Sequence, residues 1–110
     1  MATINIDLTQ VNDWPSFHAV FARAMGFPDF YGKNMNAWED CMMDISRPGQ
    51  PGMTGLVVPP AEDIVLKLYG FIDFRNRVPE VCASFLDSTA HVNQTKVNIP
   101  SASKLNLLPL

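Results

Sequence analysis

Ile64-Val65-Leu66-Lys67-Leu68-Tyr69, a near-continuous apolar and partly β-branched run in the second half of a 110-residue chain, constrains the fold more than any other segment. Such a run reads as a central strand covered on both faces, as in a buried parallel sheet. Its partners lie far away in sequence. Residues 3 to 8 alternate polar and apolar with Ile4, Ile6 and Leu8 on one side, the period of a half-buried strand, and the tail from Lys104 to Leu108 can close the sheet. Helical patterns separate the three segments, so neighbouring strands are joined by crossovers and run parallel. The expectation is a single α/β domain over residues 1–110, with a small three-stranded parallel sheet packed with about four helices.

The helical patterns carry their own punctuation. Asp13 or Asn12 caps the first helix and Pro15 fits its first turn, after which Trp14, Phe17, Val20, Phe21, Ala24 and Met25 recur at steps of three and four. Gly26 suits the left-handed position past a helix end, Pro28 forbids continuation, and Asn34 can cap a second helix with the apolar stripe Trp38, Cys41, Met42 and Ile45. Pro48, Gly49, Pro51, Gly52, Pro59 and Pro60 mark 46–60 as an exposed loop or irregular hairpin around Leu56-Val57-Val58. A short helix is expected over 71–76. Pro79 opens a longer one in which Val78, Val81, Cys82, Phe85, Leu86 and Thr89 repeat at the helical period.

A hydrophobic content of 47% against 17% charged residues excludes a disordered chain, and a net charge of -3 favours a cationic partner over nucleic acid. Asn5 and Asp7 interrupt any apolar run after Met1, and no stretch is long enough to span a bilayer, so a cytoplasmic protein without a membrane partner is expected. Cys41 and Cys82 sit in apolar helical patterns and read as buried free thiols rather than a disulfide. Zinc spacing, a phosphate loop and a glycine fingerprint are absent from the sequence, so no metal or cofactor is expected. His18 reads as a packed or rim histidine, His91 as a residue near a helix end, Met35, Met42 and Met43 as core and rim, and Asn93-Gln94-Thr95 as a chance glycosylation triplet.

The stretch from Gly26 to Met42 carries the functional information. Its loop runs over the surface and takes Phe30 and Tyr31 into solvent as rigid contact area, the alternative being that one of the two packs on the domain. Asn36 and Asp40, four apart, share one helix face with Glu39, Met43 and Asp44 beside them, opposite the Trp38 stripe. Carboxylates and an amide next to exposed aromatics suit a cationic pocket shaped for a phosphate flanked by a base.

Phe30-Tyr31-Gly32-Lys33-Asn34, then Ala37, then Asp40-Cys41-Met42 resembles the barstar family, intracellular inhibitors of ribonucleases. The close match covers residues 26 to 42, with agreement elsewhere in the order of elements, and the shortest members lack the 46–60 insert. The resemblance implies a barstar-like fold, no catalytic residues, and a monomer whose partner is a basic ribonuclease, barnase-like or another toxin nuclease. It implies that Asp40 imitates substrate phosphate and that Phe30, Tyr31, Gly32, Asn34, Asn36, Glu39, Asp44 and Asp87 complete the contact surface, Gly32 and Asn34 by positioning loop and helix. Asn36 stands where the inhibitor pattern has an acidic residue, Phe30 where it has tyrosine, Lys33 where it has glutamate, and Trp38-Glu39 where it has leucine then tryptophan. These changes move the acidity along the helix and leave room for a different target. Two other classes are compatible with the residues: an interaction module whose partner is not a nuclease, and a small cysteine hydrolase built on Cys41.

Overall fold

The computed structural model describes residues 2–99 and 102–110. The chain forms β1 (Ala2–Asp7), α1 (Trp14–Met25), α2 (Met35–Met43), β2 (Ile64–Tyr69), α3 (Phe71–Arg77), α4 (Pro79–Lys96) and β3 (Leu105–Pro109). The strands lie in the order β1-β2-β3, all parallel, with Ile4 opposite Leu66 and Leu66 opposite Leu107. The α/β architecture is the expected one.

Coverage of the sheet differs from expectation. Both crossovers step in the same direction across the sheet, and right-handed connections then lay every helix on one face. Ile6, Ile64, Leu66, Leu68 and Leu105 are buried on that face, whereas Val65 and Lys67 are only half-buried and Tyr69 is 41% exposed on the other. The β2 run reads as doubly covered because the stem of Lys67 and the ring of Tyr69 are apolar, but solvent takes their side. The first strand also stops one residue early. Asp7 accepts from the Thr9 N–H (3.1 Å) and turns the chain into a single 3-10 turn, Leu8–Gln10, that buries Leu8.

Helix faces follow their spacing. Asp13 caps α1 by accepting from the Ser16 N–H (2.9 Å) in a reciprocal capping box, and Gly26 (φ 66°) ends the helix in the left-handed region. Phe17 and Phe21 of α1, Trp38 of α2 and Phe85 of α4 meet with ring centroids 4.9–6.5 Å apart, which locks the three helices together over the sheet. Trp14 lies at the rim, 37% exposed. Leu86, placed on the buried stripe of α4 by its spacing, is 40% exposed, because it sits about 100° round the helix from Phe85.

The 46–60 segment is an irregular excursion, exposed at 48–51 and 59–60 and anchored between them. Val58, Ser46 and Thr54 are buried, the Ser46 hydroxyl donates to the Thr54 carbonyl, and the Thr54 hydroxyl donates to Leu56 O (3.0 Å). Most of its Pro and Gly residues stand in the exposed parts, while these hydrogen bonds hold its middle. Both cysteines are buried and free. No helix among the described residues is long and apolar enough to cross a membrane.

Candidate functional site

Loop 26–34 and helix α2 position the site. Gly26 releases the chain from α1, the Tyr31 N–H donates to Pro28 O (2.9 Å), and Lys33 takes a left-handed conformation (φ 55°) immediately before Asn34. Asn34 caps α2 by accepting from the Ala37 N–H (2.8 Å), and its side-chain amide reaches back to Gly32 O (3.4 Å). Loop and helix are thereby fixed to each other.

The two loop aromatics part company. Phe30 is 77% exposed, while Tyr31 is 7% exposed, its ring centroid 4.7 Å from that of Phe27 and its hydroxyl hydrogen-bonded to His18 Nδ1 (2.5 Å). Of the two readings of the loop, the one in which a single aromatic packs on the domain holds, and that aromatic is Tyr31. His18 presents a buried polar nitrogen from α1, and a tyrosine hydroxyl can satisfy it where phenylalanine could not. Burial lowers the His18 pKa below its usual value and pushes the Tyr31 hydroxyl well above its own, so the pair is neutral at pH 7.

A surface cleft of about 180 Å³ opens between the loop and α2. Buried Tyr31 and Cys41 form its base, Gly32 and Ala37 line it, exposed Phe30 and Asp40 stand at its rim, and half-buried Met53 reaches it from the 46–60 segment. Among the described residues the Asp40 carboxylate makes no hydrogen bond or ion pair. It stands in the last turn of α2, at the negative end of the helix dipole, where a negative charge disfavours the helix.

Glu39, one residue earlier and about 100° round the helix, faces α4. It accepts from the buried Ser88 hydroxyl (2.7 Å) and lies 3.9 Å from His91 Nε2. The spacing that set Glu39 beside Asp40 therefore places the two carboxylates on different flanks. Asn36 is exposed in the first turn of α2, and Asp44 is the exposed C-cap whose carbonyl accepts from the Met53 N–H (3.2 Å). Asp87 is exposed on α4 next to Ser88 and does not line the cleft.

Three contributors were not anticipated as part of the site: His18 beneath Tyr31, Ser88 beneath Glu39, and Met53 in the cleft. Each acts across a long sequence separation, and nothing in the local spacing marks it. Reactive chemistry finds little purchase. Burial first, then the Asp40 and Asp44 charges, push the Cys41 thiol above its usual pKa, the reverse of nucleophile activation. In the Ser88–Glu39–His91 cluster the carboxylate stands between hydroxyl and imidazole, so the imidazole has no contact through which to take the hydroxyl proton. A larger hollow of about 310 Å³ lies between α1 and the α3–α4 junction, but its Arg77 is committed to Asp73, Val11 O and Leu8 O. Among the described residues no group of His, Cys, Asp and Glu is arranged to hold a metal ion.

A family model described as Barstar (barnase inhibitor) matches residues 1–98, from β1 through α4. No curated protein matches the chain.

Proposed function

The chain belongs to the barstar family, and from that premise we propose that it inhibits a cationic ribonuclease by occluding its active site. Members of this family are inhibitors rather than enzymes. The observation that carries the reading is Asp40, an exposed carboxylate without an internal partner at the rim of an apolar cleft. A carboxylate on a rigid helix can take the place of a substrate phosphate and accept charge-assisted hydrogen bonds from the arginine or histidine of a nuclease. Phe30 supplies rigid apolar area beside it, Asn36 and Asp44 border it on α2, and Gly32 and Asn34 hold the loop in register. Tyr31 acts from below as part of the cleft base. Glu39 and Asp87 contribute at most to the field on the α4 flank. The inhibitor acts as a monomer in the cytoplasm of the cell that makes or meets the nuclease. The net charge of -3 steers a basic partner toward it.

The test is inhibition of barnase and a panel of other small basic ribonucleases, read by cleavage of a fluorogenic RNA. Wild type is expected to silence at least one, with an association rate that falls as salt rises. Asp40→Ala should weaken inhibition by roughly 1.5–3 kcal/mol, about 10- to 150-fold, the worth of hydrogen bonds to a charged group. The same variant should fold as stably as wild type or gain a few tenths of a kcal/mol, because it removes a carboxylate from a helix C-terminus. Equal inhibition by both proteins would remove the phosphate-mimic mechanism. A chain that silences no nuclease would leave an interaction module with a different partner.

A further inference from the structure

The 46–58 segment packs against both elements that build the Asp40 cleft. On the α1 side the Gly55 N–H donates to Gly26 O (2.6 Å) and the Leu56 N–H to Met25 O (3.3 Å), at the point where the 26–34 loop begins. The approach is so close that a Cβ on Gly26 would lie 2.8 Å from Gly55 Cα. On the α2 side the Met53 N–H donates to Asp44 O (3.2 Å), and a Cβ on Gly52 would lie 2.5 Å from that same carbonyl. Between these anchors the Ser46 hydroxyl accepts from the Gly52 N–H (3.0 Å), and the Val58 N–H donates to Ser46 O (2.9 Å). The backbone around Met53 is therefore held before any partner arrives. Its side chain remains half-buried and lines the cleft together with exposed Phe30.

We propose that this segment is a preformed wall of the partner site and that Met53 is the residue through which it selects among nucleases. The inference rests on the reading of Asp40 given above. A cationic side chain that reaches the Asp40 carboxylate must lay its apolar stem in the cleft, and Met53 forms the wall against which that stem packs. A thioether on an unbranched stem adapts to the shape it meets, so its size and flexibility decide which stems and which neighbouring partner groups fit. Charge brings the partner to Asp40, and the width of the cleft decides which partner stays. Among the described residues that line the cleft, Met53 alone comes from outside α2 and the 26–34 loop.

The experiment measures inhibition constants of wild type, Met53→Leu, Met53→Ala, Met53→Trp and Asp40→Ala against the same ribonuclease panel, with thermal unfolding as the folding control. Met53→Ala should weaken inhibition of the preferred nuclease ~10-fold while changing other panel members by a different factor, so that the order of preference shifts. Met53→Trp should fill the cleft and cost more, whereas Met53→Leu, which keeps the volume, should stay within about threefold of wild type. If Met53→Ala and Met53→Leu match wild type on every panel member while Asp40→Ala loses inhibition, the inference is wrong and the functional reading stands. If Asp40→Ala also matches wild type, or wild type inhibits no member, the functional reading falls and takes this inference with it. Met53→Ala and Met53→Leu keep the test decisive should the tryptophan variant fail to fold.

Discussion

A single hydroxyl separates the fates of the two adjacent aromatics in the 26–34 loop. Tyr31 turns inward because His18 Nδ1 needs a partner, and Phe30 is left to solvent. Tyr31→Phe keeps the ring and deletes that bond, so a buried imidazole nitrogen loses its partner at a cost of roughly 1–3 kcal/mol. Urea denaturation is expected to show a lower midpoint with an unchanged slope for this variant, and an unchanged midpoint would show that the bond contributes nothing. The local sequence could say that the loop holds aromatics and crosses the surface. It could not say which one faces out, because the deciding group lies thirteen residues earlier on α1. Asp40 is the opposite case: its spacing from Trp38 and Cys41 already sets it on the outer side of α2, and the folded chain leaves it exposed.

Helix faces were legible at the scale of elements, and what joins one element to the next was not. Phe17, Phe21, Trp38, Cys41, Val81 and Phe85 are buried as their periods require, since helical repeat alone puts them on one side. The flank that Glu39 takes is not set by spacing, because a helix has several polar flanks and only the packing of α4 shows that one of them meets Ser88. The Asn93-Gln94-Thr95 triplet has a structural use of the same kind. The Asn93 amide donates to Leu105 O and accepts from the Leu105 N–H, both at 2.8 Å, and so ties α4 to the edge strand β3. Asn93→Ala is expected to cost roughly 1–3 kcal/mol by stranding both backbone groups of Leu105. Amide hydrogen exchange should accelerate at Leu105 well before the aromatic core opens, and equal protection in the variant would refute the tie.

Across the whole molecule, Lys96 is the buried charge that connects distant parts. From the last turn of α4 its ammonium donates to Met42 O at the end of α2 (2.6 Å) and to Ser103 O ahead of β3 (2.5 Å). Burial, and then the charge of Arg47, lower its pKa to about 8, with Asp63 pulling the other way. Because the unfolded chain holds this proton up to about pH 10.5, stability contributed by Lys96 is fully present above that value and is lost as pH falls toward 8. Lys96 therefore adds stability as pH rises from about 8, while Cys41 and Cys82, whose protons the folded state holds more tightly, subtract from it beginning at about pH 8.5, and Tyr31 beginning at about pH 10. Between about pH 8 and 9 the denaturation midpoint of wild type should rise relative to that of Lys96→Met, whose own midpoint falls as the thiols of the unfolded chain ionise, and parallel curves would exclude Lys96 as the cause. Alternation in the first strand, the β2 run and two pairs of helical repeats lead to the parallel α/β order and to an acidic face beside an aromatic loop, because periodicity is a property of neighbours along the chain. Four things required the folded molecule: the single covered face of the sheet, the inward turn of Tyr31, the diversion of Glu39 to Ser88, and the arrival of Met53 at the cleft. Each depends on crossover handedness or on polar groups that find partners only after distant segments have packed.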